Sequence, residues 1–323
     1  RNKKSVALNL KAKLGKKAAK ILINTADILI EGFRPGVMEK LQLGPEEFKK
    51  SNPKLIFARM TGWGQTGPLS NLAGHDINYL SITGALHAIG AKEGPPIPPL
   101  NLVADYGGGS MFLIFGILAA LYERVGSGMG QVIDVAMVDG VASMMSVFHS
   151  AHARGDYSNK RASNMLDGGA PYYRCYQTSD RKYLSVGPIE TKFFAEFVNL
   201  VGLPKETIGE QNVKELWGNH HKLLESAFRE KTLAEWSDIF KNSDSCVVPI
   251  IPISEVMNND HNRCRGSYIT IDEVLQPSPA PRFERTPASV PNPPIGSGQS
   301  NREILSNIGF SDKEIDIISS EVR

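Results

Sequence analysis

The stretch that decides the fold runs from Asp27 to Met60, "DILIEGFRPGVMEKLQLGPEEFKKSNPKLIFARM". It opens on a strand-like apolar run, "DILIEG". It then passes into a helix in "RPGVMEKLQLG" with Pro35 at the first position, and returns to a second strand in "PKLIFARM". The same alternation extends outward in both directions. Upstream, "SVALNL" (residues 5–10) reads as a strand and "LGKKAAKILINTA" (14–26) as a helix. Downstream come a long helix in "GGSMFLIFGILAALYERV" (108–125), a strand in "GQVIDVAMV" (130–138) and a helix in "DGVASMMSVFHSA" (139–151). Strand–helix units repeated at this length imply an α/β fold with a parallel sheet and helices on its faces. Such sheets receive ligands at the carboxyl ends of their strands, where "EGFRPG" (31–36) and "RMTGWGQTGP" (59–68) fall. Neither string is a GxGxxG fingerprint or a Walker loop, so nicotinamide and nucleoside-triphosphate chemistry lacks support.

The texture changes near residue 150. "HARGDYSNKRASNMLDGGAPYYRC" (152–175) is polar and lacks apolar periodicity, as a linker or long loop does. A second unit follows, with a strand in "KYLSVGPI" (182–189) and helices in "TKFFAEFVNLVGL" (191–203), "VKELWGNHHKLLESAF" (213–228) and "LAEWSDIFKN" (233–242). From residue 275 the text is Pro-rich, "LQPSPAPRFERTPASVPNPPIG", too extended for a packed element, before a short final helix in "NREILSNIGF" (301–310). The expected organisation is a large domain over 1–150, a linker over 151–170, a smaller α+β domain over 171–270, and a return segment over 271–323. No internal repeat is present.

Composition narrows the function. The chain has 323 residues, 41% hydrophobic and 22% charged, enough for a large core and two domains. A net charge of +2 gives no case for a nucleic-acid partner. Lys3, Lys4, Lys11, Lys13, Lys16, Lys17 and Lys20 crowd the first twenty residues; they suit either a phosphorylated ligand or a solvated helix face. The longest apolar run, "MFLIFGILAALY" (111–122), is twelve residues and is followed by Glu123 and Arg124, so it reads as a buried helix with no membrane partner. Cys175, Cys246 and Cys264 lie far apart, without a CxxC pair, which suggests neither a metal site nor disulfides and fits a reducing compartment. The chain opens on Arg1 and is read as a fragment or processed form. Its last residues, "SSEVR", are not a Ser-Lys-Leu address.

One string puts titratable groups at the mouth of an apolar element. In "LAGHDINYLSITGAL" (72–86), His75 and Asp76 precede a run spaced for a buried helix. Asp76 there would complement a helix macrodipole whatever else it did. Asp105 in "LVADYGGG" would likewise serve as an N-cap for the glycine-led helix after it, and Glu190 in "VGPIET" as a first-turn glutamate.

Several strings together, "SVALNLK", "DILIEGFRPGVMEKLQLG", "NPKLIFARMTGWGQTGP", "AGHDINYLSITGAL", "NLVADYGGGSM", "GQVIDVAMVDG" and "PAPRFERTP", resemble the family III CoA-transferases, in order and nearly end to end. The resemblance implies a large Rossmann-like domain, a smaller mixed domain, two chains interlocked as a homodimer, and a further β-α unit ahead of Arg1. Within the family the strings are most similar to the branch that inverts the 2-carbon of 2-methyl-branched acyl groups on coenzyme A. That chemistry needs an acid/base group on each face of the carbon and a stabiliser for the enolate oxygen. The resemblance implies His75 as one base, Asp105 as the other, and Glu190 as a partner of the histidine across the dimer. For coenzyme A it points to Leu8, Asn9, Leu10, Lys11, Arg34, Gly74, Asp76, Ile77, Asn78 and Tyr79. Coenzyme A is part of the substrate, so no separate cofactor is implied, and a mitochondrial or peroxisomal home is. "GALHAIG" (84–90) and "VASMMSVF" (141–148) are either acyl-tail surface or plain core.

Two other readings compete. In CoA-transferases of the same family, an aspartate matching Asp105 attacks the thioester as a nucleophile. Those transferases differ at the position of His75 and carry a run of glycines where this chain has "VGPIET". A catalytically silent CoA-binding scaffold is the second, against which stands the presence of all three expected titratable residues.

Overall fold

A computed structural model of the chain describes residues 1–322. The chain forms two compact units, and each is discontinuous in sequence. The first comprises residues 1–74, 106–140 and those from Ile253 onward; the second comprises 75–105 and 141–252.

The first unit is built on a parallel sheet of β1 (Ile28–Glu31), β2 (Ile56–Thr61) and β3 (Val132–Ala136), in that spatial order. Ile28 pairs with Ile56, and Phe57 with Val132. β2 is central, and its first four residues are all buried, as expected of a strand covered on both faces. Helix Lys13–Thr25 packs Ala19 and Ile23 against Met38, Leu43, Phe48, Leu55 and Phe57. Close approach matters at Gly130, whose added Cβ would lie 2.1 Å from the Leu55 carbonyl oxygen. The α/β expectation holds, with local corrections. Pro35 does not begin a helix. Gly36 follows it in the left-handed region (φ 81°), and a single turn, Val37–Lys40, comes after. "SVALNL" joins no sheet. It runs extended and is held by side chains, with the Ala7 N–H donating to Asn301 Oδ1 (2.8 Å) and Asn301 Nδ2 donating to the Ala7 carbonyl (3.1 Å).

The apolar helix differs most from expectation. A π-type stretch, Leu102–Met111, continues directly into the α-helix Phe112–Ser127. The joint run is long and apolar enough to cross a membrane by length and composition alone. Nor is it buried. Leu113, Ile117 and Ala120 pack inward, while Met111, Ile114, Phe115, Leu118, Tyr122 and Val125 face outward, Phe115 72% and Val125 86% exposed.

The second unit holds an antiparallel sheet of β4 (Arg174–Gln177), β5 (Tyr183–Val186) and β6 (Val247–Ile250). Helices Thr191–Val201, Trp217–Phe228 and Leu233–Phe240 close over it. Its core is aromatic: Trp236 stacks on Phe240 with ring centres 5.5 Å apart and meets Phe228 edge-on at 5.1 Å. The buried indoles are satisfied, Trp236 donating to the Phe228 carbonyl and Trp217 to that of Gln211. Residues 154–173 contain no helix or strand, as their composition indicates. They are nonetheless tightly held. The Asp167 carboxylate accepts from the backbone of Ser163, Asn164 and Gly169 and from Asn164 Nδ2.

The chain then returns to the first unit. An unanticipated hairpin, β7 (Tyr268–Ile271) with β8 (Val274–Pro277), turns through Asp272 and Glu273, both at positive φ. The Pro-rich stretch beyond carries no regular element through residue 296, as read from composition. Two helices follow rather than one, Asn301–Asn307 and Asp312–Ser320, and Leu305, Phe310, Ile315 and Ile318 pack with Ala18.

His221 gives the second unit a pH dependence. Its Nε2–H donates to the Gly169 carbonyl (2.9 Å), and its Nδ1 accepts from Arg174 Nη1 (3.0 Å). Burial first, and then the Arg174 charge, lower its pKa below the ordinary 6.5. The unfolded chain therefore takes up a proton that the native imidazole resists. Stability should be full above pH ~6.5 and fall as pH drops toward the folded pKa. His221→Gln should reduce the loss in urea midpoint between pH 7.5 and 5.5; an unchanged slope would remove this imidazole as its source.

Candidate active site

The local sequence places His75 just before a short helix, Asp76–Ser81, which Gly84 (φ 82°) separates from the turn Ala85–Ala88. The apolar run expected as one helix is thus two pieces. The His75 N–H donates to Asn78 Oδ1 (3.0 Å), so the Asn78 side chain is spent on fixing the turn, and the imidazole is exposed. Ile77 faces outward; Tyr79 is buried.

Asp76 is 5% exposed, and its Oδ2 accepts two backbone N–H groups, of Ala104 and Asp105, each at 2.8 Å. Those donors belong to the first turn of the helical run that starts at Leu102, where N–H groups have no partner within the helix. This corrects one expectation. Asp105 is not the cap of the helix after it; it lies inside that helix and is itself capped. Asp76 is its cap, with Oδ2 given to the backbone. Its Oδ1 is buried without a hydrogen-bond partner among the described residues.

Asp105 is half-buried, and its Oδ2 accepts from Asn101 Nδ2 (3.2 Å). Asn101 was missed at the sequence level, although its i, i+4 spacing from Asp105 is the signal that finds it. Burial raises the Tyr79 pKa, and the Asp105 and Asp76 charges add to that, so the phenol keeps its proton. Asp76, Tyr79, Asn101 and Asp105 thus form one hydrogen-bonded and electrostatically linked group within the second unit, and His75, its backbone held by Asn78, is next to it in sequence. An imidazole and a carboxyl are both groups that can act as acid or base.

Glu190 also lies in the second unit, exposed at the N-cap position of Thr191–Val201, with no side-chain cap bond. Its nearest charted influence is on Cys246, whose thiol is held above its ordinary pKa by burial first and by Glu190 next. Among the described residues, no hydrogen bond or ion pair joins it to His75.

The remaining candidates belong to the first unit. Leu8 and Leu10 are half-buried and pack on its apolar clusters. The Asn9 side chain accepts from the Lys11 N–H (3.1 Å). Lys11 lines an open cavity of about 580 Å³ with Lys13, Lys16, Lys17 and Lys20. Lys17 and Lys20 pair with Glu314 and Glu47 and Lys16 bonds Gln42, and among the described residues Lys11 and Lys13 have no side-chain partner. Arg34 is exposed at the carboxyl end of β1, in the Gly32–Gly36 turn, with no carboxylate within 4.0 Å among the described residues. Gly74 directly precedes His75.

The chain belongs to CoA-transferase family III, whose model matches residues 1–300. Among its relatives, the alpha-methylacyl-CoA racemase of Mus musculus is 45% identical over 320 residues, covering 98% of this chain and 83% of the relative. The Homo sapiens alpha-methylacyl-CoA racemase is 43% identical over 324 residues, covering 99% and 85%. The crystal structure of Rv3272 from M. tuberculosis superposes with a TM-score of 0.77 at 26% identity, over 94% of this chain and 82% of that one.

The cap gives a direct test. Asp76→Ala strands two buried N–H groups and should cost about 1–3 kcal/mol in denaturant unfolding. Asp76→Asn keeps an acceptor oxygen and should recover most of that. Equal stability of all three proteins would remove the capping role.

Proposed function

We propose that the chain is an acyl-CoA racemase that inverts the 2-carbon of 2-methyl-branched acyl-CoA thioesters. The observation that carries the reading is that the chain, 45% identical to an alpha-methylacyl-CoA racemase, holds the backbone of Asp105 on the carboxylate of Asp76, the residue next to His75. The thioester carbonyl acidifies the 2-proton by delocalising the carbanion onto oxygen. One base removes the proton from one face while the other, already protonated, returns one to the opposite face. His75 takes one face and Asp105 the other, with Asn101 orienting the carboxyl. Coenzyme A arrives with the substrate, and Arg34 and Lys11 offer unpaired cations to its phosphates.

An apolar cavity of about 570 Å³ in the second unit supports the tail assignment. "GALHAIG" supplies Ala85, Ala88 and Ile89 to it, and "VASMMSVF" supplies Met144, Met145 and Phe148. Flexible methionine side chains suit acyl tails of varied shape. A second copy of the chain completes the proposal. The outward stripe of Phe115, Leu118, Tyr122 and Val125 is the kind of surface a homodimer covers, and Glu190 of the partner subunit is then the group that holds His75. The three cysteines are free and exposed, consistent with a reducing interior such as a mitochondrion or peroxisome provides.

In deuterated water without any second acyl acceptor, a single enantiomer of a 2-methylacyl-CoA should gain solvent deuterium at C2 and racemise. A transferase or silent scaffold would leave it unlabelled. His75→Ala and Asp105→Ala should each slow racemisation by at least about 100-fold, while each retains exchange of the proton on the face its remaining base serves. Racemisation at the normal rate by either variant would overturn the assignment.

The shared site is tested by mixing. Glu190→Ala and His75→Ala chains, each inactive alone, should on joint refolding regain about a quarter of the wild-type activity, since about half the dimers are mixed and each has one intact site. Mixed dimers without activity would place the whole site within one chain.

A further inference from the structure

Arg59 lies on β2 directly beside Glu31, the last residue of β1, and the two are partners in the parallel register. Both are buried, at 7% and 5% exposure. Arg59 Nε donates to Glu31 Oε1 (2.7 Å), while Nη1 and Nη2 donate to Glu39 Oε1 (2.7 Å) and Oε2 (3.2 Å). The other Glu31 oxygen accepts the Phe33 N–H at 2.7 Å. Glu31 stands at the start of the turn and Glu39 beyond its end, on the helical turn Val37–Lys40. One guanidinium therefore grips both ends of the segment that carries Arg34.

We infer that Arg59, with Glu31 and Glu39, is a positioning device for coenzyme A: it closes the 32–38 turn and so fixes the exposed Arg34 guanidinium where a phosphate can be met. The inference rests on Arg34 as a coenzyme A contact. Arg59 itself has all three guanidinium nitrogens engaged by carboxylates, so it acts through Arg34 rather than on the ligand. The arrangement is also expensive for a purely structural element. Burying ions carries a large desolvation cost, and apolar side chains of similar volume fill such a space as well or better. What they do not supply is a planar fork that sets the angle between a strand end and the helix beyond it. The Arg59 hydrogen bonds hold the Glu39 carboxyl below its ordinary pKa, so the device stays ionised throughout the neutral range. Pro35 fixes its own φ and so removes freedom from the turn, while Gly36 supplies the left-handed conformation that the turn requires.

Glu39→Gln is the variant of choice, because Glu39 is the partly exposed member and its loss leaves the buried Arg59–Glu31 pair intact. Two measurements on the whole chain separate the inference from the reading beneath it. In the ligand-free protein, amide hydrogen exchange across residues 32–38 should speed up in Glu39→Gln by about tenfold or more, with the rest of the first unit unchanged. In calorimetric titrations with coenzyme A, Arg34→Ala should weaken binding about 10–100-fold and Glu39→Gln about 3–10-fold. Glu39→Gln should add nothing further in the Arg34→Ala background, because the device has then lost the group it positions. KM for an acyl-CoA should rise in Glu39→Gln while kcat at saturation holds within about twofold. Unchanged exchange across the turn, or a Glu39→Gln loss that adds in full to that of Arg34→Ala, overturns the positioning role. Unchanged affinity in Arg34→Ala overturns the coenzyme A contact and the inference with it, even when exchange behaves as expected.

Discussion

The Asp76 carboxylate, accepting the N–H groups of Ala104 and Asp105, is the contact on which the site depends. A helix begins with N–H groups that its own geometry cannot satisfy, and a buried one must find an acceptor or lose stability. Here the acceptor sits next in sequence to His75, and one of the two donors is the backbone of Asp105. The side chain that starts the helix therefore also holds the backbone of Asp105 beside that of its own neighbour, His75.

Both units share this economy in their use of charge. Asp167 gathers three backbone N–H groups and an amide to shape a loop without helix or strand, and Arg59 joins two carboxylates across the end of the parallel sheet. In each case an ionised group is enclosed by the hydrogen bonds that make its burial tolerable. The apolar clusters establish that the units fold; these ionic contacts determine where the loops between elements stop. Candidate ligand-facing residues such as Arg34 and His75 lie on those loops, close in sequence to the groups that hold them.

Much of this was legible beforehand, and the failures have specific causes. The strands at Ile28, Ile56 and Val132 follow from apolar runs flanked by glycine and proline, which periodicity reads well. The hairpin at Tyr268 was missed because its turn is Asp272–Glu273, both at positive φ without a glycine to announce it. The last helix carries its own signal, since Ser311 and Glu314 form a reciprocal capping box, but it follows the first of the pair after only a short break and reads as its continuation. "SVALNL" has a strand's composition and no neighbouring strand to pair with, which composition cannot reveal. The capping role of Asp76 depends on a partner 28 residues away, beyond any local pattern. His75, Asp105 and Glu190 came from family resemblance, whereas the Asn101 contact came from the geometry.

The extended first segment has a consequence for synthesis. Ala7 is hydrogen-bonded to Asn301, 294 residues later, and Ala18 packs against Leu305 and Ile318. The first unit therefore cannot close until residues 301–318 have been made; its extended segment and first helix wait for them to emerge. The second unit has all its parts once residue 252 has cleared the ribosome. The first unit is thus completed after the second, and until then the helix Lys13–Thr25 lacks the partners that cover one of its faces.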